Sequence, residues 1–357
     1  MDHIAIDLGG RESQVCVRSA DGTVMAESRV RTGRLEQLVQ SWNHSRIILE
    51  TSAEAFRIAD AALAAGHEVR VVPATLVKTL GVGGRGVKTD QRDARVLSEV
   101  SCRIDLPSVH IPSAQSRELK SLCGSREILV GARTKLINNV RGWLRTQLIR
   151  IRSGATRSFP DRLRGHALAS GQALPEHIER QLTVIDAVNL QIQAADRQLR
   201  RIACEHPVCR RLMTVPGIGP VTAVRFVAAL DDVTRFRTAH AVQSYLGLTP
   251  GERSSSERQQ RTGITKAGPA ALRRTLIQAA WSAFRHASGQ PMVAWADQLA
   301  ARRGKFIAVV ALARKMAGIM FALWRDGTEY RPSLTSEGQA AQSQAAQSPS
   351  GAGRSKG

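Results

Sequence analysis

The sequence predicts an α/β N-terminal domain on a mixed sheet, then an antiparallel helical coiled-coil stalk, then a mostly α C-terminal domain. Three observations predict it. In the first hundred residues, short apolar or alternating runs give way to runs of helical spacing. Two long stretches, 113–152 and 178–205, then repeat apolar residues every three or four positions. From 207 onward, helix-like runs are separated by glycine-bearing loops.

Residues 3–8 form a short apolar strand. Residues 13–18 and 23–30 alternate around Asp21-Gly22, a hairpin signal. A helical stretch at 33–42, an apolar strand at 46–50 and an alanine-rich helix at 53–65 follow. Pro73 ends the strand Glu68-Val-Arg-Val-Val72. After a glycine-rich turn at 81–86, residues 89–100 carry a helical pattern. Three antiparallel strands followed by alternating helices and strands is the ribonuclease-H-like order, with helices on the faces of the sheet. It places Asp7 on the central strand and Glu50 on its neighbour, with the helix of Asp90 and Asp93 across them.

In 113–152 the apolar stripe is Leu119, Leu122, Leu129, Leu136, Val140, Leu144, Leu148 and Ile151. Beside it runs a basic stripe of Arg126, Arg133, Arg141 and Arg145. Residues 153–175 break the pattern with Gly, Ser and Pro. The second helix, 178–205, pairs back on the first. Its charged face binds nucleic acid or a second subunit, or is simply solvated. Within 207–330, Val215-Pro-Gly-Ile-Gly-Pro-Val221 lies between helical runs. Gly217 and Gly219 there let backbone N–H groups approach a phosphate, a helix-hairpin-helix signature, with a tight turn as the plain alternative. The expected divisions are 1–108, 112–206, 207–330 and a disordered Ser/Gln/Ala/Gly tail at 331–357.

Lys and Arg number 51 against 30 acids, a net charge of +21, which points to a polyanion such as nucleic acid. Aromatics at 4% are too few for long base-stacking platforms. Cys16, Cys102, Cys123, Cys204 and Cys209 are odd in number without a Cys-x-x-Cys pair. They argue against a disulfide framework or zinc site and are expected as small buried hydrophobes. With no signal pattern and no apolar run approaching eighteen residues, a cytosolic chain without membrane contact is expected.

The chemistry begins with four acids. Asp7 and Glu50 sit at or near strand C-termini, and Asp90 and Asp93, three apart, share a helix face. Carboxylates converging there suit a hard divalent cation, and two such ions suit a phosphodiester. The bland alternative is that Glu50 caps a helix while Asp90 and Asp93 pair with Lys88, Arg92 and Arg95. Later, a polar, flexible loop carries Ser254, Ser255 and Ser256 among Arg253, Arg258, Arg261 and Lys266, with Arg273 and Arg274 on the next helix. A serine there is a candidate covalent nucleophile if basic groups stabilise charge on the phosphate. The alternative is a disordered basic loop.

These residues resemble the DEDD transposases of the insertion-sequence 110 family, whose relatives include bridge-RNA-guided recombinases. The resemblance covers roughly residues 3–330. It rests on Asp7, Glu50, Lys88-Thr-Asp90-x-x-Asp93-Ala94, Thr214-Val-Pro-Gly-Ile-Gly-Pro220, Tyr245-Leu-Gly-Leu-Thr-Pro250, the serine loop, Gly263-Ile-Thr-Lys-Ala-Gly268, Leu272-Arg273-Arg274 and Val310-Ala-Leu-Ala-Arg-Lys315. It implies a RuvC-like domain, a stalk and a transposase domain with a catalytic serine. In the family that serine follows the Leu-x-Pro proline by five residues, which selects Ser255. The family's following glycine is Ser256 here, so Ser254 and Ser256 stay open beside it. The resemblance further implies Mg²⁺ or Mn²⁺ on Asp7, Glu50, Asp90 and Asp93, and a phosphoserine link to DNA. It implies a structured bridge RNA that selects donor and target DNA. It also implies a homo-oligomer, a dimer assembling to a tetramer, at the nucleoid. The rival readings are a metal-dependent structure-specific nuclease using water and a non-catalytic nucleic-acid-binding protein.

Overall fold

The computed structural model describes residues 1–79, 90–255 and 258–332, with backbone alone for 78–79, 90–91, 253–255 and 258–261. The expected turn at 81–86, Ser256 and the tail from 333 lie outside the described residues. The chain divides into two units, Met1–Ser113 and Ala114–Gly357.

In the first unit, β1 (Asp2–Asp7) is apolar on both faces because both are covered. Ile4 and Ile6 enter one apolar layer and Ala5 the other. β2 (Glu12–Arg18) and β3 (Val24–Arg31) add to it antiparallel, turning at Gly22 with φ 92°. β3 is the exposed edge and carries Glu27, Arg29 and Arg31, charges that discourage further pairing. β4 (Ser45–Glu50), reached through α1 (Leu35–Ser41), lies parallel to β1. α2 (Ala55–Ala64) then leads to β5 (Glu68–Val72), parallel to β4, so the sheet order is β3-β2-β1-β4-β5. Leu35 and Val39 of α1 with Ala55, Ile58, Ala59 and Ala62 of α2 cover one face. Val77 of α3 (Ala74–Thr79) and Leu97 of α4 (Asp90–Arg103) cover the other, over Ala5, Ile48 and Val72. α3 was not expected. Pro73 ends the strand and also starts this helix, because its carbonyl accepts the N–H groups of Leu76 and Val77.

In the second unit, α5 (Ala114–Thr146) and α7 (Glu176–Glu205) pair antiparallel. Arg126 meets Asp196; seven residues on, Arg133 donates to Asn189, seven residues back, at 3.0 Å. The helix expected to reach 152 stops at Thr146, and Leu148, at φ 59° and 91% exposed, drops out of the apolar stripe. The expected break at 153–175 contains a helix, α6 (Phe159–Ala169). Its Phe159 and Leu163 pack on Ile137, Val140, Leu182 and Ile185. Arg164 ties α6 to α7 through Glu179 and Asp186, at 2.8 and 2.7 Å.

The rest is α8 (Pro207–Leu212), α9 (Pro220–Leu230), α10 (Ala239–Tyr245), a hairpin of β6 (Pro250–Ser255) and β7 (Arg258–Ile264), α11 (Ala270–His286), α12 (Pro291–Arg303) and α13 (Lys305–Asp326). α13 has the length and composition to cross a membrane. Its inward residues Val309, Leu312, Met316, Met320 and Phe321 are buried in this unit's core with Leu212, Phe226, Leu276 and Val293. All five cysteines are free; Cys16, Cys123 and Cys209 are buried as expected, Cys102 is half-buried and Cys204 is exposed, because it faces outward on α7.

Candidate functional site

β1 and β4 pair in parallel register, with Ile6 opposite Leu49, so Asp7 and Glu50 are the next residues along adjacent strands. Their Cα atoms are therefore about 5 Å apart by sheet geometry. By strand alternation Asp7 shares the face of Ala5, and Glu50 that of Ile48. That is the face α4 covers. Both carboxylates are half-buried.

α4 is fixed along the sheet by three hydrogen bonds. His3 Nδ1 meets Ser101 Oγ at 2.8 Å, Arg18 Nε donates to Ser98 Oγ at 3.2 Å, and Ser98 Oγ lies 3.3 Å from Cys16 Sγ. Arg18 pairs with His3, and Cys16 with Ala5. The helix therefore runs opposite to β1, its C-terminal end at His3. From His3 to Asp7 the strand advances about 13 Å. From Ser101 back to Asp93 the helix advances about 12 Å. Asp93, one turn before the buried Leu97 and itself 4% exposed, thus stands level with Asp7 on the covered side. Asp90 begins the same helix; its side chain lies outside the described ones.

The loop after β1 is built to hold Asp7 in place. A Cβ on Gly9 would lie 2.2 Å from the Glu12 carbonyl oxygen, so only glycine fits there. Thr32 Oγ1 donates to the Gly9 carbonyl at 2.6 Å, and Ser13 Oγ accepts the Gly9 N–H at 3.3 Å while contacting Thr32 Oγ1 at 2.8 Å. Among the described residues, no group of three or more His, Cys, Asp or Glu is drawn together as a metal cluster. The donor chemistry at Asp7, Glu50 and Asp93 is all carboxylate oxygen, which suits a hard divalent cation.

The serine loop of the sequence reading is a β-hairpin. In its ladder Ser254 stands opposite Gln259 and Ser255 opposite Arg258, which puts Ser255 at the last paired position of β6. The register shifts between Pro250 and Glu252, at Gly251, where a Cβ would lie 2.6 Å from Thr262 Oγ1. Of Arg253, Arg258 and Arg261 only the backbone is described; Lys266 is exposed at φ 58°.

The arginines of α5 do not form one open stripe. Arg126 and Arg133 are turned toward α7 by Asp196 and Asn189, and burial lowers the Arg133 pKa. Arg141, over the Phe159 ring at 5.5 Å, and Arg145 are exposed. Gly217 has φ 86°, and a Cβ there would lie 2.5 Å from the Ala279 carbonyl oxygen, so α11 packing explains that glycine. Gly219, at the N-cap of α9, has nothing within 4 Å of its Cβ direction. It lines a cleft of about 460 Å³ with Arg126, Arg225 and Arg274. Arg274 is exposed and pairs with Glu127, whereas Arg273 is buried. Arg225 was missed in the sequence. It is 8% exposed, bonded to Glu127 at 2.8 Å and to the Cys123 carbonyl at 2.9 Å. The signal was available as the lone charge inside Pro220-Val-Thr-Ala-Val-Arg-Phe-Val227.

Two family models match this chain. Residues 4–148 match a transposase model of the IS110 type bearing the DEDD designation, and residues 209–293 match the transposase family IS116/IS110/IS902. The chain is similar to the transposase for insertion sequence element IS1111A of Coxiella burnetii, at 26% identity over 92% of this chain and 91% of that one. It is similar to a probable family 20 transposase of Pseudomonas aeruginosa, at 28% over 93% and 99%. A third relative is the transposase for insertion sequence element IS1328 of Yersinia enterocolitica, at 24% over 92% and 98%.

Proposed function

We propose that this chain, which belongs to the IS116/IS110/IS902 family of transposases, cuts and rejoins DNA through a phosphoserine link on Ser255. It is a DNA transposase of an insertion sequence, and the family's acid signature fits divalent metal dependence. What supports the finer reading is that Asp7 and Glu50 end adjacent parallel strands on the face covered by α4, the helix that carries the buried Asp93.

Asp7, Glu50, Asp90 and Asp93 would hold Mg²⁺ or Mn²⁺, which supplies charge neutralisation on the phosphate. The Ser255 hydroxyl attacks phosphorus. Its Oγ–P bond forms as one bridging P–O bond of the DNA breaks, and the serine proton ends on the departing DNA oxygen. Rejoining reverses this with a new DNA hydroxyl, so the bond energy of the phosphodiester is kept and no outside energy source is needed. The exposed Arg141 and Arg145 and the N-terminal end of α9 at Gly219 supply phosphate contacts. Arg253 and Arg258, near Ser255 in the ladder, would stabilise the extra charge at phosphorus, while Arg261 lies further down it and Lys266 at the hairpin's root. A structured bridge RNA would choose donor and target DNA. The acids and the serine would come from different subunits of a dimer or tetramer, in the cytoplasm at the nucleoid.

The test traps the reaction with denaturant, digests the protein and seeks a nucleotide on the peptide spanning Arg253 to Arg258. An adduct on Ser255 is expected, and Asp7→Asn or Glu50→Gln should abolish it. An adduct on Ser254 or Ser256 moves the nucleophile by one position. Cut ends without any adduct would establish the rival hydrolytic nuclease.

A further inference from the structure

We infer that Arg273 is a positioning residue that clamps the root of the serine hairpin rather than a phosphate ligand. The inference rests on Ser255 being the nucleophile and adds what aims it. Arg273 is only 9% exposed although it follows a polar loop and precedes the exposed Arg274. One guanidinium nitrogen, Nη1, donates to the Leu246 carbonyl at 3.1 Å and to the Ala267 carbonyl at 2.6 Å. Leu246 enters the hairpin and Ala267 leaves it, so a single nitrogen ties both stems together.

The root is built around that group. Gly247 has φ 66°, and a Cβ there would stand 2.3 Å from the Ala267 oxygen and 2.8 Å from Arg273 Nη1. Gly268 has φ 65°, and a Cβ there would stand 1.9 Å from the Tyr245 oxygen. The stems are laced by Thr265 N–H to Thr249 O at 2.9 Å and Lys266 N–H to Gly247 O at 3.2 Å. Arg273 reaches them from α11, whose Leu272 and Leu276 are buried in the core.

A two-stranded hairpin is marginal alone in water. From Pro250, just above that root, β6 runs five residues to Ser255, a lever of about 17 Å at strand rise. A small tilt at the root therefore becomes a displacement of the hydroxyl, and about 1 Å of misplacement in a catalytic group costs on the order of 100-fold in rate.

The experiment compares wild type, Arg273→Met and Arg273→Lys on duplex DNA carrying the element's ends, with RNA transcribed from the flanking non-coding segment. Three quantities are read: hydrogen exchange at the Thr265 and Lys266 amides, affinity for DNA, and the rate of Ser255 adduct formation at saturating DNA. In Arg273→Met exchange should rise at least about tenfold and the adduct rate fall about 100-fold, with affinity within about threefold of wild type. Arg273→Lys should recover most of the rate, because an ammonium can donate to both carbonyls. A folded Arg273→Met with wild-type adduct rate overturns the clamp. So does a loss confined to affinity, which makes Arg273 a phosphate contact. Wild type that exchanges slowly yet never forms an adduct refutes the serine nucleophile and leaves the clamp to the exchange comparison. If Arg273→Met does not fold, Arg273→Lys decides: slow exchange with a rate within about tenfold of wild type supports the clamp, and slow exchange with the rate abolished refutes it.

Discussion

At the residue scale, His3 couples the sheet to α4 in a protonation-sensitive way. Its pKa is held below 6.5, first by burial and then by Arg46 and the chain's amino terminus. The folded state thus binds the proton less readily than the unfolded chain. The contribution is fully present above about pH 6.5 and is lost as the pH falls below it. Urea midpoints between pH 8 and pH 5 should fall toward acid for the wild type, and His3→Gln should flatten the fall; an unchanged slope would show that His3 is no part of it. The placement of Asp7 and Glu50 at the ends of neighbouring strands was legible from the sequence, since an acid ending an apolar strand is conspicuous. The depth of Asp93 was not. It depends on where α4 stops sliding, and that is set by His3, Cys16 and Arg18 some eighty or more positions away.

Among elements, those with a clear apolar period were legible. The sheet strands and α4, α5 and α7 fall close to the expected ranges because periodicity and burial agree there. α6 was hidden by Gly154, Pro160 and Gly165, although Pro160 merely opens the helix. β6 and β7 were hidden because Pro-Gly-Glu-Arg-Ser-Ser and Arg-Gln-Gln-Arg-Thr-Gly-Ile offer one apolar residue, so cross-strand pairing rather than a buried face defines them. The α5 arginines show the limit from another side, for spacing puts Arg126 and Arg133 on one face without saying what α7 sets opposite. α4 itself is held to the sheet by Leu97, which is fully buried. Leu97→Ala should therefore destabilise the N-terminal unit by about 2–5 kcal/mol. Denaturant unfolding of residues 1–113, which contain both apolar layers of the sheet, would measure it; a loss under about 1 kcal/mol would mean the helix is held otherwise.

For the whole molecule, a net charge of +21 does not mean that every cation is free for DNA. Arg126, Arg164, Arg225 and Arg274 are already paired with acids. The salt dependence of DNA binding should separate these classes. Replacing Arg141 and Arg145 by Gln should flatten the slope of log K against log salt by about 0.9 each on duplex DNA. Arg133→Gln should leave that slope alone and instead cost about 1 kcal/mol of helix pairing. A slope that responds equally to all three would return Arg133 to the surface.

The N-terminal sheet also sets an order of events. β2 and β3 meet β1 through short turns, but β4 joins β1 in parallel after an intervening helix, and α4 seals the face from 98 residues away at the His3–Ser101 bond. Nonlocal parallel pairing is slow to form. On the ribosome the first three strands can fold as a meander while the acid-bearing end of the sheet is still uncovered. That end of the sheet therefore stays open in a nascent chain until α4 has emerged, and a fragment ending before α4 should carry Asp7 and Glu50 on a sheet whose β1 and β4 amides exchange faster than in residues 1–113.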